Sequence, residues 1–173
     1  MAINLTSTAS PPLWRRLVFG RNPTRTLIRA AILIIAAFIL FRFILLPVRV
    51  TGISMEPTYR DGKIDLINRL AYWRTPPKRG DVVAIRTSGF HVMYLTHIVG
   101  LPGETVAFKN GIVLIDGQPL EEPWVINRFP WQEPPRKLEP DQYFLVGDNR
   151  SMPQAQHKHL YASYKRIVGK VLW

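Results

Sequence analysis

A serine hydroxyl attacks a carbonyl when a base takes its proton and fixed donors receive the oxyanion that forms. Ser54 stands in a setting suited to that chemistry, the run Gly52-Ile53-Ser54-Met55-Glu56-Pro57-Thr58. Gly52 permits a close backbone approach, and Pro57 fixes the turn that follows. Such a turn aims the Ser54 hydroxyl into a groove and its N–H toward a developing oxyanion. Four more clusters punctuate the chain: Lys78-Arg79-Gly80-Asp81-Val82-Val83, His97-Ile98-Val99-Gly100-Leu101-Pro102-Gly103-Glu104, Gly147-Asp148-Asn149-Arg150 and Arg166-Ile167-Val168-Gly169-Lys170. Each alone reads as a turn beside a strand.

These clusters need a scaffold, and short β-strands supply it. Val82–Ile85, Met93–Val99, Thr105–Phe108, Ile112–Ile115, Tyr143–Val146 and Ile167–Leu172 are Val/Ile-rich runs between Gly and Pro punctuation. Lys109-Asn110-Gly111 reads as the turn of a hairpin. The outer part is therefore mainly β, a folded-over or barrel-like sheet. Trp124 to Asp141 is rich in proline and aromatics and reads as a long surface loop. Its Phe129 and Trp131 are candidates for dipping into a membrane interface, where Trp is favoured.

Ahead of these strands lies an unbroken apolar run, Ala30–Phe41, which Phe43–Leu46 and Val48 extend to bilayer-spanning length. Five arginines lie at or before its N-terminal end, so the N-terminus is expected to stay in the cytoplasm. The division expected is a basic N-terminus over 1–26, a transmembrane helix over 27–48 and an extracytoplasmic domain over 49–173. A retained anchor is favoured over a cleaved leader, because Pro47-Val48-Arg49 is a poor cleavage site.

The chain of 173 residues carries a net charge of +11. Residues 1–55 hold seven arginines and no acid, so most of the excess brackets the apolar segment as a topogenic signal. With no nucleic-acid motif, nucleic acid is not an expected partner. The absence of cysteine excludes disulfides and thiolate catalysis. His157-x-His159 lacks an acidic partner, so neither a metal nor any other cofactor is expected.

Taken in order behind an N-terminal anchor, Ser-Met-Glu-Pro-Thr, Arg-Gly-Asp-Val-Val, Gly-Leu-Pro-Gly and Gly-Asp-Asn-Arg closely resemble the type I signal peptidase family over roughly residues 45–173. The resemblance implies a membrane-bound serine endopeptidase. Such an enzyme removes signal peptides from exported preproteins at the outer face of the plasma (inner) membrane, near the secretion translocon. By the same analogy Ile53, Met55, Val82 and Val83 line the substrate groove. The alternative is a protein that binds signal or pilin-like peptides without cutting them.

The resemblance breaks at the base. Bacterial members pair the serine with a lysine, and Thr96 stands at that position, with His97 where an arginine follows. Relatives of eukaryotic type use a histidine, which here suggests Ser54, His97 as base and Asp148 as its orienter. Neighbouring strand residues face opposite sides, so that assignment requires a bulge near His97. His157, Lys158 and His159 are the other basic candidates, in a segment read as a solvated loop.

Overall fold

The computed structural model describes residues 22–86, 93–157 and 159–172 and divides into two units, one ending at Arg42 and the other running from Phe43. In the first unit, helix α1 (Pro23–Ile39) has proline at its start, where a missing N–H costs nothing, and one π-helical turn (Leu40–Ile44) continues it. Thr24–Ile44 is long and apolar enough to cross a membrane, and no part of it is buried against protein. Leu27, Leu33, Ile34 and Phe38 are all more than half exposed. Hydrocarbon is the solvent that such a surface suits.

The helix ends earlier than the apolar pattern, which ran on to Val48. Leu45–Arg49 is instead strand β1, paired antiparallel with β2 (Ile64–Asn68). Pro47 is tolerated because β1 is an edge strand. The remaining strands are β3 (Val82–Arg86), β4 (Met93–Gly100), β5 (Thr105–Lys109), β6 (Ile112–Ile115), β7 (Gln118–Pro119), β8 (Glu133–Lys137), β9 (Gln142–Val146), β10 (Leu160–Ser163) and β11 (Ile167–Leu172). They form a seven-stranded sheet, β1-β2-β11-β3-β4-β9-β10, and a four-stranded sheet, β7-β6-β5-β8. All named strand pairs are antiparallel.

The large sheet is buried on both faces, which is why β3 reads as an unbroken apolar run. Val82 and Ala84 pack with Met55, Tyr59, Ile67 and Leu95 on one side. Val83 and Ile85 pack with Ile98, Tyr143 and Leu145 on the other. A third cluster, with Val106, Phe108, Val113, Trp131 and Phe144, brings in the second sheet.

The expected surface loop 124–141 is part of this architecture. It contains β8, whose two prolines fit an edge strand, and Trp131, only 2% exposed. Trp131 donates its indole N–H to Met152 O and packs on Phe108. It is a core residue and not an interfacial anchor; Phe129 is half exposed.

Candidate active site around Ser54

Ser54 lies on the connection between β1 and β2, and main-chain bonds hold that connection in shape. Gly52 takes φ 98°, a value that suits glycine, and its N–H donates to Asp61 Oδ1 at 2.8 Å. Nothing lies within 4 Å of where a Gly52 side chain would begin. Backbone conformation therefore calls for glycine here, and close approach does not. Beside the serine, Met55 is 1% exposed and anchors the turn in the core. Burial of a side chain that size contributes about 1.5–3 kcal/mol.

The Gly147–Arg150 turn grips this connection from the other side. Asn149 donates its N–H to Ser54 O at 3.0 Å and its amide Nδ2 to Ile53 O at 3.0 Å. A side chain on Gly147 would begin 2.3 Å from Ser54 O and 2.9 Å from His157 Nε2. Only glycine lets the two turns meet. Asp148 is 1% exposed; it accepts from the Thr58 hydroxyl through Oδ2 and from His97 Nδ1 through Oδ1 at 2.5 Å. The His97 ring stacks on Trp124 with centroids 4.2 Å apart. Arg150 donates to Gly147 O at 2.8 Å and pairs with Glu122 at 2.5 Å, both side chains fully buried. Burial is the largest influence on Glu122 and pushes its carboxyl up, against the lowering effect of Arg150.

A groove runs beside Ser54. Its first part, about 340 Å³, is lined by Val48–Gly52, Ser54, Met55 and β4 residues Met93–Leu95. Its second, about 210 Å³, is lined by residues including Ser54, Ile53, Thr96, Gly147 and Gln156. The β4 pairing explains the wall. Met93–Thr96 pair with β3 on one side, whereas β9 pairs with β4 only from His97 onward. Among the described strands, none pairs with the other edge of Met93–Thr96, which borders the groove.

Thr96 and His97 part company here. The β3–β4 register is unbroken through both residues, and the irregularity in β4 falls between Ile98 and Gly100. The bulge that a His97 base requires is thus absent at His97. Thr96 lines the groove with Ser54, whereas His97 lines neither part of it and is occupied by Asp148. His97 and Asp148 do come together, but as a brace under the serine turn. The Thr96 hydroxyl is 3% exposed as a residue and has no hydrogen-bond partner, so it makes no bond to Ser54.

Two groove assignments are corrected by burial. Val82 and Val83 are 4% and 0% exposed and lie in the cores on opposite faces of the sheet. Ile53, half exposed, and Met55 do line the groove. Tyr94 and Leu95 are wall residues that sequence reasoning missed; this wall depends on where β9 stops pairing, which leaves no local signal.

His157 also departs from expectation. Instead of being solvated it is 4% exposed, packs 4.7 Å from the Trp131 ring and finds no partner for either ring nitrogen. Burial, then the charge of Arg150 and of His159, lowers its pKa to about 4. His159 faces Glu133, 3.3 Å away, and Lys158 lies outside the described residues. Among the described residues, no group of three or more His, Asp or Glu is arranged to hold a metal.

The profile of the family described as signal peptidase, peptidase S26, matches residues 24–172. The chain belongs to this family. It is 31% identical to signal peptidase I of Leptolyngbya laminosa over 69% of this chain, and spans 63% of that relative's length. It is 33% identical to a signal peptidase I of Bacillus amyloliquefaciens, covering 82% of this chain and 79% of the relative. A probable signal peptidase I-1 of Synechocystis is 28% identical over 81% and 76%. A signal peptidase I from Enterococcus faecalis V583 superposes with a TM-score of 0.45 at 22% identity, covering 56% of this chain and 97% of that one. Members of the family are membrane-anchored serine endopeptidases, and Thr24–Ile44 is the candidate span here.

Proposed function

We propose that this chain is a signal peptidase I, a serine endopeptidase that removes signal peptides from exported preproteins at the outer face of the membrane. The observation that carries the reading is Ser54 in a groove walled by Met93–Thr96, the part of β4 along which β9 does not pair. An extended peptide can hydrogen-bond to that stretch as an added strand, with its carbonyls passing the serine. Three arginines before the span, Arg15, Arg16 and Arg21, and two near its start, Arg25 and Arg29, support a cytoplasmic N-terminus, and hence an extracytoplasmic domain.

In the proposed reaction Ser54 Oγ attacks the scissile carbonyl and the Ser54 N–H receives the oxyanion. Among the described residues no hydrogen bond takes up that N–H. The peptide C–N bond then breaks and the amine leaves with a proton, giving an acyl-serine that water hydrolyses. His157 is the proposed proton acceptor. It is neutral and partnerless. Although like His97 it lines neither part of the groove, its Nε2 and Ser54 O both lie close to where a Gly147 side chain would begin, at 2.9 and 2.3 Å. His97, Asp148 and Thr58 hold the turn and do not touch the reacting atoms. A base of such low affinity for protons implies slow turnover.

The test is cleavage of a labelled small-x-small preprotein by the solubilised chain beside Ser54→Ala and His157→Gln. Both variants are expected to lose cleavage at least 100-fold while remaining membrane-bound. Retained cleavage in Ser54→Ala overturns the nucleophile. Full activity in His157→Gln removes the base and leaves the rest of the reading. A wild type that holds the peptide without cutting it identifies a binding protein.

A further inference from the structure

Beyond Met1, every methionine of the chain lines the groove. The sequence has four methionines and no cysteine, so methionine carries all of its sulfur. Met55, Met93 and Met152 come from three distant segments: the β1–β2 connection, the start of β4 and the stretch after β9. They converge on the two parts of the groove beside Ser54. Met93 alternates in phase with Leu95, which shares a core cluster with Met55. It therefore stands on the face of β4 turned toward the serine connection. Met152 packs against the cluster that holds Trp131 and Phe144.

Exposure separates the three. Met55 is buried, whereas Met93 and Met152 are partly exposed. The backbone of each exposed methionine is held in place. Met93 pairs with Arg86 across the β3–β4 ladder, and the Met152 carbonyl accepts from the Trp131 indole at 2.9 Å. A thioether suits a groove whose ligands vary, because it is apolar, polarisable and free to refit through three rotatable bonds. The same sulfur is open to oxidation.

We propose that Met93 and Met152 are the sites at which hydrogen peroxide modifies this chain, and that their oxidation closes the groove to peptides. A sulfur lone pair attacks one peroxide oxygen and the O–O bond breaks. The proton on the transferred oxygen passes to the departing hydroxide. Sulfur is oxidised to the sulfoxide, and the peroxide is reduced to water. The S=O group is polar and larger than the thioether it replaces. A small apolar side chain entering beside it would strip water from that oxygen without replacing the lost hydrogen bond. Met55, beneath the turn, is shielded from the same attack. Closure rests on the reading of this groove as the peptide site; which residues are oxidised does not.

The solubilised full chain is exposed to limiting hydrogen peroxide, and peptide mapping by mass spectrometry follows oxygen uptake at each methionine. Met93 and Met152 are expected to gain oxygen severalfold faster than Met55, with the fold retained by circular dichroism. Uptake at Met55 as fast as at the other two overturns the proposal, and so does unfolding in step with oxidation. Cleavage of a labelled small-x-small preprotein is expected to fall severalfold on treatment. It should return after incubation with the methionine sulfoxide reductases for both sulfoxide epimers. A Met93→Leu, Met152→Leu chain, whatever its own starting rate, is expected to keep that rate through the same treatment. An equal loss in this variant overturns closure by these two residues. If the untreated wild type binds the preprotein without cutting it, the same loss and recovery are expected in binding. If it neither binds nor cuts, the proposed function and the closure both fail, and the map still decides the oxidised sites.

Discussion

The two sides of the Ser54 turn are built on opposite terms. Beneath it, side chains bond directly to the turn and to one another: Asp148 joins Thr58 to His97, Asn149 bonds to Ile53 and Ser54, and Arg150 joins Gly147 to Glu122. Only Arg150 Nη1, Glu122 Oε2 and Trp124 Nε1 of these groups are left without a hydrogen bond. Beside it, the Thr96 hydroxyl and both His157 nitrogens are buried and unbonded. Unpaired buried polar groups cost stability, so the Thr96 hydroxyl and the His157 nitrogens, which hold no part of the turn in place, are candidates for a task other than packing. Adjacent residues of one strand, Thr96 and His97, belong to opposite sides of this division because side chains alternate along β4.

The comparison breaks most severely at Gly147. Gly147→Ala would place a methyl group 2.3 Å from Ser54 O and 2.9 Å from His157 Nε2. Both sides should fail together: cleavage below detection and a melting temperature lower by several degrees, read by preprotein assay and thermal unfolding. Arg150→Ala attacks the brace alone and leaves Glu122 buried without its main partner. A loss of about 3–5 kcal/mol in denaturant unfolding is expected. The His97–Asp148 contact should register as a coupling of about 1.5–3 kcal/mol in a His97→Gln, Asp148→Asn double-mutant cycle.

The unsatisfied side has a pH signature. The pKa of His157 is lowered to about 4 in the folded chain, against about 6.5 for a free imidazole. Between those values the unfolded chain binds the proton and the folded chain does not. This contribution to stability is therefore present in full above about pH 6.5 and falls on acidification toward pH 4. His157→Leu is expected to flatten that limb in melting curves across the range; an unchanged slope would contradict a neutral buried imidazole. The smallest effect belongs to Thr96→Val, which removes an unbonded hydroxyl at nearly constant shape. A gain of about 1 kcal/mol in denaturant unfolding is expected.

Sequence made the Ser54 turn, the Gly147–Arg150 turn and six of the strands legible, because glycine, proline and β-branched residues impose local geometry. It hid β2, β7 and β10, and also β1 and β8, whose prolines read as breakers and are harmless on sheet edges. It placed Val82 and Val83 in the groove because an apolar strand looks alike whether it lines a cleft or is buried on both faces. His157 looked solvated in a polar segment, yet Trp131, distant in sequence, covers it. Trp131 in turn looked like an interfacial residue, and Trp73 is the tryptophan left 74% exposed. Long-range packing decided each of these, and no local pattern encodes it.

The central claim is that Ser54 cuts a peptide laid along the Met93–Thr96 stretch of β4. Cleavage of a labelled small-x-small preprotein by the solubilised wild type, measured beside Ser54→Ala, tests it most directly. The account predicts slow but measurable cleavage at the small-x-small site by the wild type and none by Ser54→Ala. Equal rates from the two proteins, or none from either, would contradict it.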